Sequence, residues 1–418
     1  MHSLSQLRSG ELAGITRLKL SENLTSFPLE ILSLADTLEI LDLSDNQLSS
    51  LPQEIVQLRK LKILFASNNR FNVLPEVLGQ CPELDMIGFK SNQISVVPEN
   101  ALPPKLRWLI LTDNQIETLP DSLGLRPRMQ KLALAGNRLN TLPKTMSELH
   151  NLELLRISAN QLQDCPDHVF SLPKLAWFAF SGNPFCQSSE NKSSNSIDSV
   201  PHVPSSSFTL QSVLGQGASG VISNAVWNNP QTEYPADIAV KVFKGEVTSD
   251  GYPQDELNAC LKVGYHPSLV QPLAQVSEKN HLALVMNLIP PHFKNLGLPP
   301  NFDTCTRDTF PAGFTLSIAQ IDKMVNQMED VFNHMHDKQV CHGDLYAHNT
   351  LFDDESNIIF GDFGAASMYH MLSNEQQQNL RQIEHRALKF FIEDLLSVCR
   401  EDDKLSDAFK RLQDAVAR

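Results

Sequence analysis

The sequence predicts two folds in tandem, a parallel-stranded α/β solenoid followed by an α+β domain of two lobes. Three observations predict them. Leucine-type residues recur at a near-constant spacing of 23 through residues 15–183. From Phe208 that period stops, and a strand-like run leads into the glycines of Gly215-Gln-Gly217-Ala-Ser-Gly220. At 341–364, CHGDLYAHNTLFDDESNIIFGDFG, the apolar runs 349–352 and 357–360 flank Asp353-Asp354-Glu355-Ser356 and read as a β-hairpin. A chain of 418 residues with 41% apolar content is long enough for two or three globular domains.

The repeats come first. Ile15, Leu38, Leu61, Leu84, Leu106, Met129, Leu152 and Leu175 open eight units, with one spacing of 22. Eight residues after each opener stands an asparagine: Asn23, Asn46, Asn69, Asn92, Asn114, Asn137, Asn160 and Asn183. From the second unit to the seventh a proline follows that asparagine by six, Pro52 to Pro166. The pattern is identified as the leucine-rich repeat. Each unit supplies one short parallel strand, and each asparagine amide bonds turn backbone that an apolar side chain would leave unpaired. The asparagines are structural. Leu4, Leu7 and Leu12 cap the open end, and Asn183-Pro-Phe-Cys186 resembles a closing cap, which sets the repeat domain at 1–186.

On such strands the residues pointing away from the core line the concave face. The third position of successive repeats reads Arg17, Ile40, Ile63, Met86, Trp108, Lys131, Leu154, Trp177, with Phe65 and Ile110 two residues further along their strands. An apolar column on a sheet face points to a binding surface. Ile40, Ile63, Phe65, Met86, Trp108, Ile110, Leu154 and Trp177 are therefore expected to take a protein substrate or regulator. Two alternatives stand beside this one: the side chains pack on one another, or the face docks the chain's own second domain.

Residues 187–207, QSSENKSSNSIDSVPHVPSSS, are Ser-, Asn- and Pro-rich and read as a flexible linker. The second domain, 208–418, then opens with the run 208–214 and the glycines. The strand-like run 221–226 follows where a dinucleotide fold would need a helix, so Gly215, Gly217, Gly220 and Val221 read as a hairpin whose backbone N–H groups cover phosphates. Lys241 sits inside the apolar strand 238–243 and needs a partner, since an unpaired buried ammonium is costly. Glu256 in the following helix supplies one, with Asp255 as the alternative. Ile318, Ile321, Met324, Val325, Met328, Val331, Phe332 and Met335 repeat at helical spacing as a core helix, whereas 290–316, with five prolines, reads as a loop. Glu375–Cys399 and Leu405–Val416 read as the last two helices, the latter with Leu405, Phe409, Leu412 and Val416 on one face.

His342-Gly343-Asp344, then Asn349, then Asp362-Phe-Gly364 after the hairpin resemble the catalytic and metal loops of the protein kinases. The resemblance implies that Asp344 orients the acceptor hydroxyl and that Asn349 and Asp362 hold Mg²⁺ (or Mn²⁺). It gives Lys241 the α- and β-phosphates of ATP and Glu256 the task of holding Lys241. It makes Met286 the gatekeeper, places adenine against the main chain of Asn287 to Ile289, and has Glu384 anchor the catalytic loop from below. Nearly the whole chain is similar to the small soluble leucine-rich-repeat protein kinases.

Three positions depart from that pattern. Gly343 replaces the arginine that reads an activation-segment phosphate. Tyr346 stands where serine/threonine kinases carry a lysine. Only 22 residues separate Asp362 from Glu384, with no Ala-Pro-Glu motif. The expectation is an ATP-dependent serine/threonine kinase whose repeats recruit a substrate or regulator. The alternatives are an ATP-binding pseudokinase scaffold and a small-molecule phosphotransferase.

Composition excludes other classes. A formal charge of −14 without a Lys/Arg cluster argues against nucleic acid and anionic membrane partners. Seven scattered cysteines without metal-site spacing read as free thiols of a reducing compartment. No apolar run is long enough to span a membrane, and a cytoplasmic location is expected.

Overall fold

The computed structural model describes residues 2–187, 200–217, 219–229, 234–279 and 281–417. By their internal contacts these form two units, Met1–Leu175 with Asn183–Phe185, and Ala176–Gly182 with Cys186–Arg418.

The first unit opens with α1 (Leu4–Ser9), whose N-cap Ser3 forms a capping box with Gln6. Leu7 and Leu12 are buried beneath it, as expected of a cap. Seven strands follow: β1 (Arg17–Lys19), β2 (Ile40–Asp42), β3 (Ile63–Phe65), β4 (Met86–Gly88), β5 (Trp108–Ile110), β6 (Lys131–Ala133) and β7 (Leu154–Arg156). All pair in parallel, and their central residues Leu18, Leu41, Leu64, Ile87, Leu109, Leu132 and Leu155 stack in one line with no solvent exposure. Proline opens most of the short 3-10 turns on the opposite side, where its fixed φ suits the first position and its missing N–H costs nothing.

The asparagine ladder closes the turns. Asn114 Oδ1 accepts from the amide of Ile94 at 3.0 Å, and its Nδ2 donates to the carbonyls of Phe89 and Leu111 at 2.9 and 3.0 Å. Asn46, Asn69, Asn92, Asn137, Asn160 and Asn183 repeat this arrangement. Asn23 does not belong to the ladder. It is exposed with φ +56°, the left-handed turn conformation of Asp45, Asn68 and Asp113, and Asn46 takes the amides of Glu22 and Leu24 instead.

The apolar column also departs from expectation. Ile63, Met86 and Leu154 are only 5%, 2% and 3% exposed, so they are not open anchors. Large side chains at parallel-strand spacing bury one another: Ile63 stands between Ile40 and Met86 in register, and Phe65 covers Gly88, where a Cβ would lie 2.6 Å from its ring. Ile40, Phe65, Trp108 and Ile110 remain half-buried, and Lys131 Nζ stands 4.3 Å from the Trp108 ring centre.

The eighth repeat strand, β8 (Trp177–Ala179), belongs to the second unit. Most of the stretch read as a linker, 188–199, lies outside the described residues. Residues 200–207 do not behave as a flexible tether. Val203 N donates to Gln275 O, Gln275 N donates to Pro201 O, and Ser205 bonds Glu278.

From Phe208 the second unit builds an antiparallel five-stranded sheet from β9 (Phe208–Gln216), β10 (Gly220–Trp227), β11 (Asp237–Phe243), β12 (Pro272–Glu278) and β13 (His281–Asn287), in the order β12-β13-β11-β10-β9. Helix α2 (Pro253–Val263) follows β11, and Phe208, Ala225, Ile238, Val240, Val276 and Val285 fill one face of the sheet. After β13 the chain enters the proline-rich loop, which contributes one short strand, β14 (Lys294–Asn295), and no α-helix.

The helical part contains α3 (Ile318–Asp337), whose buried stripe is Ile321, Met324, Val325, Met328, Val331, Phe332 and Met335. Next come β15 (Val340–Cys341), the hairpin β16 (Thr350–Phe352) and β17 (Ile358–Phe360), and β18 (Ser367–Met368), which pairs with β15. Helices α4 (Asn374–Ser397) and α5 (Asp407–Ala417) end the chain. Leu405 precedes α5 and is 83% exposed, so it is not on the helix's apolar face. No disulfide forms among the described residues. No helix among the described residues is long and apolar enough to cross a membrane.

Candidate active site

A cavity of about 280 Å³ opens between the five-stranded sheet and the loop after β17. Its walls include Gly215, Gly217, Gly220, Ile222, Lys241, Glu256, Leu284, Met286 and Asp362. The glycines make its roof for two different reasons. Cβ atoms on Gly215 and Gly217 would meet nothing, so the backbone there is open to a close-approaching ligand, whereas a Cβ on Gly220 would lie 2.5 Å from Val242 O. Val221 does not line the cavity. Side chains alternate along β10, and the residue opposite Lys241 in the register is Ile222, which does. Asn287 and Ile289 are absent from the wall as well; on that side the lining side chains are Leu284 and Met286.

Lys241 has the partner its burial demands. Its ammonium donates to Glu256 Oε1 and stands 4.0 Å from Asp362 Oδ1. Burial raises the Glu256 carboxyl above its usual range, opposed by the attraction of Lys241. Asp255 is not the partner. Its carboxyl faces away toward Gly182, where a Cβ would lie 2.8 Å from Oδ2, and burial pushes it up to about 6.

The hairpin brings the acceptors together through backbone bonds. Asn349 Nδ2 donates to Asp344 Oδ2 at 2.8 Å and to Asp344 O at 3.2 Å, which leaves its amide oxygen for another role. Gly361, just before Asp362, donates its N–H to Asn349 O at 3.4 Å, and its carbonyl meets His342 Nε2 at 3.0 Å. Asp362 takes the left-handed φ of +58°, which is uncommon for a residue with a side chain, and its carboxylate accepts from Gly364 N. The imidazole of His342 is fully buried, stacked 4.1 Å from Phe360, and joins the two loops.

Beneath the catalytic loop, Glu384 from α4 accepts the amides of His342 at 2.7 Å and Gly343 at 3.1 Å. Burial pushes its carboxyl up to about 7 against the pull of those two donors. His336 Nε2 lies 3.6 Å from Glu384 Oε2, but burial lowers that imidazole to about 4, so it stands neutral beside the carboxyl near pH 7.

Asp308, in the proline-rich loop, is a supporting residue that sequence reasoning missed. It accepts from the amide of Ala347 and from His348 Nδ1 at 2.6 Å, which fixes the far end of the loop. Arg307 beside it is tied to Glu393 and Asp394. Trp177, predicted on the open concave face, is 1% exposed, and its indole Nε1–H donates to Leu345 O at 2.8 Å. Tyr346 is buried against that indole, with ring centres 4.8 Å apart.

The site suits a nucleotide with a hard divalent cation. Its donors toward the cation are oxygens, its roof is open backbone, and it holds one lysine. No group of three or more His, Cys, Asp and Glu side chains among the described residues could hold a metal unaided.

Comparison with known proteins assigns the two parts. Residues 208–386 match the protein kinase domain, and residues 36–94 and 104–162 match the leucine rich repeat. The chain carries leucine-rich repeats followed by a protein kinase domain. Such a domain uses ATP with a divalent cation, and leucine-rich repeats are protein-contact modules. Among curated relatives, the serine/threonine-protein kinase ksg1 of Schizosaccharomyces pombe is 22% identical over 231 residues, covering 50% of this chain and 37% of that protein. The serine/threonine-protein kinase PSK2 of Saccharomyces cerevisiae is 26% identical over 168 residues, covering 39% and 14%. This chain thus spans little more than a third of the first relative and about a seventh of the second. Among solved structures, a leucine-rich-repeat protein of Leptospira interrogans is 25% identical with a TM-score of 0.28, covering 43% of this chain and 57% of that one.

Proposed function

We propose that this chain transfers phosphate from ATP to serine or threonine hydroxyls of a protein that its repeats recruit. The observation carrying the reading is the formed Lys241–Glu256 pair with Lys241 only 4.0 Å from Asp362, in a cavity roofed by the three glycines. Lys241 holds the α- and β-phosphates, and Asn349 and Asp362 hold Mg²⁺ or Mn²⁺. Asp344, fixed by the Asn349 amide, orients the acceptor hydroxyl and takes its hydrogen bond. When bound, ATP supplies the phosphoryl group and the cation neutralises its charge.

One observation favours a second reading, a nucleotide-binding scaffold without turnover. Helix α4 begins at Asn374, so only residues 365–373 separate Gly364 from it, and that stretch is the usual peptide platform. γ-Labelled ATP incubated with the full chain separates the readings. Phosphate on Ser or Thr supports the kinase. Stabilisation by Mg·ATP without transfer supports the scaffold, and phosphate only on an added small hydroxyl compound supports a small-molecule phosphotransferase.

On the repeats, Ile40, Phe65, Trp108 and Ile110 stay half-exposed, and Trp108 is the strongest anchor among them. Trp108→Ala should weaken phosphorylation of a recruited target by more than about tenfold, the loss expected of a central aromatic anchor, with ATP affinity unchanged. Unchanged target phosphorylation removes this face as the recognition surface. A rise in basal activity would instead mark it as the seat of the chain's own kinase domain.

A further inference from the structure

The catalytic loop is gripped on three sides. Glu384 holds the amides of His342 and Gly343, and Asp308 holds the amide of Ala347. The third grip comes from strand β8. The Trp177 indole donates to the carbonyl of Leu345, the residue after Asp344, and stacks between the rings of Tyr346 at 4.8 Å and Phe390 at 5.3 Å. The same segment bonds the stretch after Gly364, because Ser367 Oγ accepts from both Phe180 N and Ser181 N at 3.1 Å.

This contact accounts for sequence features that depart from the kinase pattern. Gly343 has φ +71°, and a Cβ there would lie 2.7 Å from Phe178 O and 2.9 Å from Ala365 O. An arginine at 343 could not stand where the main chain of β8 passes. Tyr346 offers the indole a flat ring, which a lysine cannot. The segment after Gly364 can be short because β8 bonds it.

We propose that strand β8 is a built-in brace of the catalytic loop, with Trp177 as the positioning residue that sets Asp344. The brace takes the place of an arginine–phosphate contact, so the loop is ordered without phosphorylation of the segment that follows Gly364. The part of this inference that concerns turnover rests on the kinase reading above; the part that concerns loop order does not.

The test uses the full chain with Trp177→Phe, which keeps a ring in the stack and removes the N–H donor, and Trp177→Ala, which removes both. Trp177→Phe is expected to lower kcat about tenfold with the KM for ATP unchanged, the pattern of a misplaced catalytic group rather than a lost binding site. Amide exchange of residues 345–349 should rise in Trp177→Phe and rise further in Trp177→Ala, with β10 and β11 unchanged. If the wild-type chain transfers no phosphate but exchange rises as described, the brace stands and the kinase reading falls. If Trp177→Phe leaves both kcat and exchange at 345–349 as in the wild type, the brace is wrong. The same holds if kcat and KM shift together with exchange rising across the whole domain, because Trp177 is then a packing residue only. Should Trp177→Ala fail to fold, the phenylalanine variant alone decides.

Discussion

Replacing Asp344 with alanine is expected to cut phosphate transfer by a factor on the order of 10²–10⁴, the range that a positioned proton acceptor contributes. Asp344 does not line the nucleotide cavity, so stabilisation by Mg·ATP should survive. Asp362→Asn should lower transfer on the order of 10³-fold through a different route, since it weakens the hold on the cation and its neighbour Lys241 loses a nearby charge. Thermal shift with Mg·ATP distinguishes the two: retained in Asp344→Ala, diminished in Asp362→Asn. Undiminished transfer by Asp344→Ala would remove the assignment of the positioning carboxylate.

The second large effect is expected at Glu384. Its carboxyl is fully buried and accepts two main-chain amides, and each amide left unpaired costs about 1–3 kcal/mol. Glu384→Ala should therefore destabilise the domain strongly and abolish transfer. Glu384→Gln keeps one acceptor oxygen, so it should fold and exposes the charge's own contribution. The folded carboxyl sits at about 7, above its value of about 4.3 in the unfolded chain, because burial disfavours the ionised form. A raised folded value means this group's stabilising contribution is complete below about 4.3 and is lost as pH climbs to about 7. The stability difference between wild type and Glu384→Gln, followed by denaturant midpoint across that window, should shift against the wild type as pH rises. A difference that is flat with pH would mean the carboxyl is ionised throughout.

Where the chemistry is local, the sequence was legible. A lysine in an apolar strand needs a partner, and Glu256 lies 15 residues on, at the start of the next helix. The helical stripe of 318–335, the hairpin and the repeat ladder from Asn46 onward follow from periods that local backbone geometry enforces. The misses have physical causes. Val221 follows the glycines directly in the sequence, but which residue of that strand faces inward depends on its pairing with β11, and that register selects Ile222. Asn23 fits the spacing but turns with a left-handed φ. Asp308 and Trp177 act on partners 39 and 168 residues away, and no periodicity reports a contact at that distance. For the concave column a one-dimensional pattern tells which way a side chain points, not what its neighbours cover, so it leaves binding surface and mutual packing open where Ile63, Met86 and Leu154 are in fact covered.

The main-chain pairing of Pro201 and Val203 with Gln275 has a consequence for handling the kinase domain. Strand β12 lies at the border of the five-stranded sheet, and a border strand with open N–H and C=O groups is a template for self-association. Residues 201–203 occupy part of that border as a short parallel cover. A fragment cut at Phe208, where the sequence pattern places the domain boundary, would strip the cover and leave the border free to recruit a second copy edge to edge. The residues that cover this border therefore lie upstream of the one at which the first strand of the sheet begins.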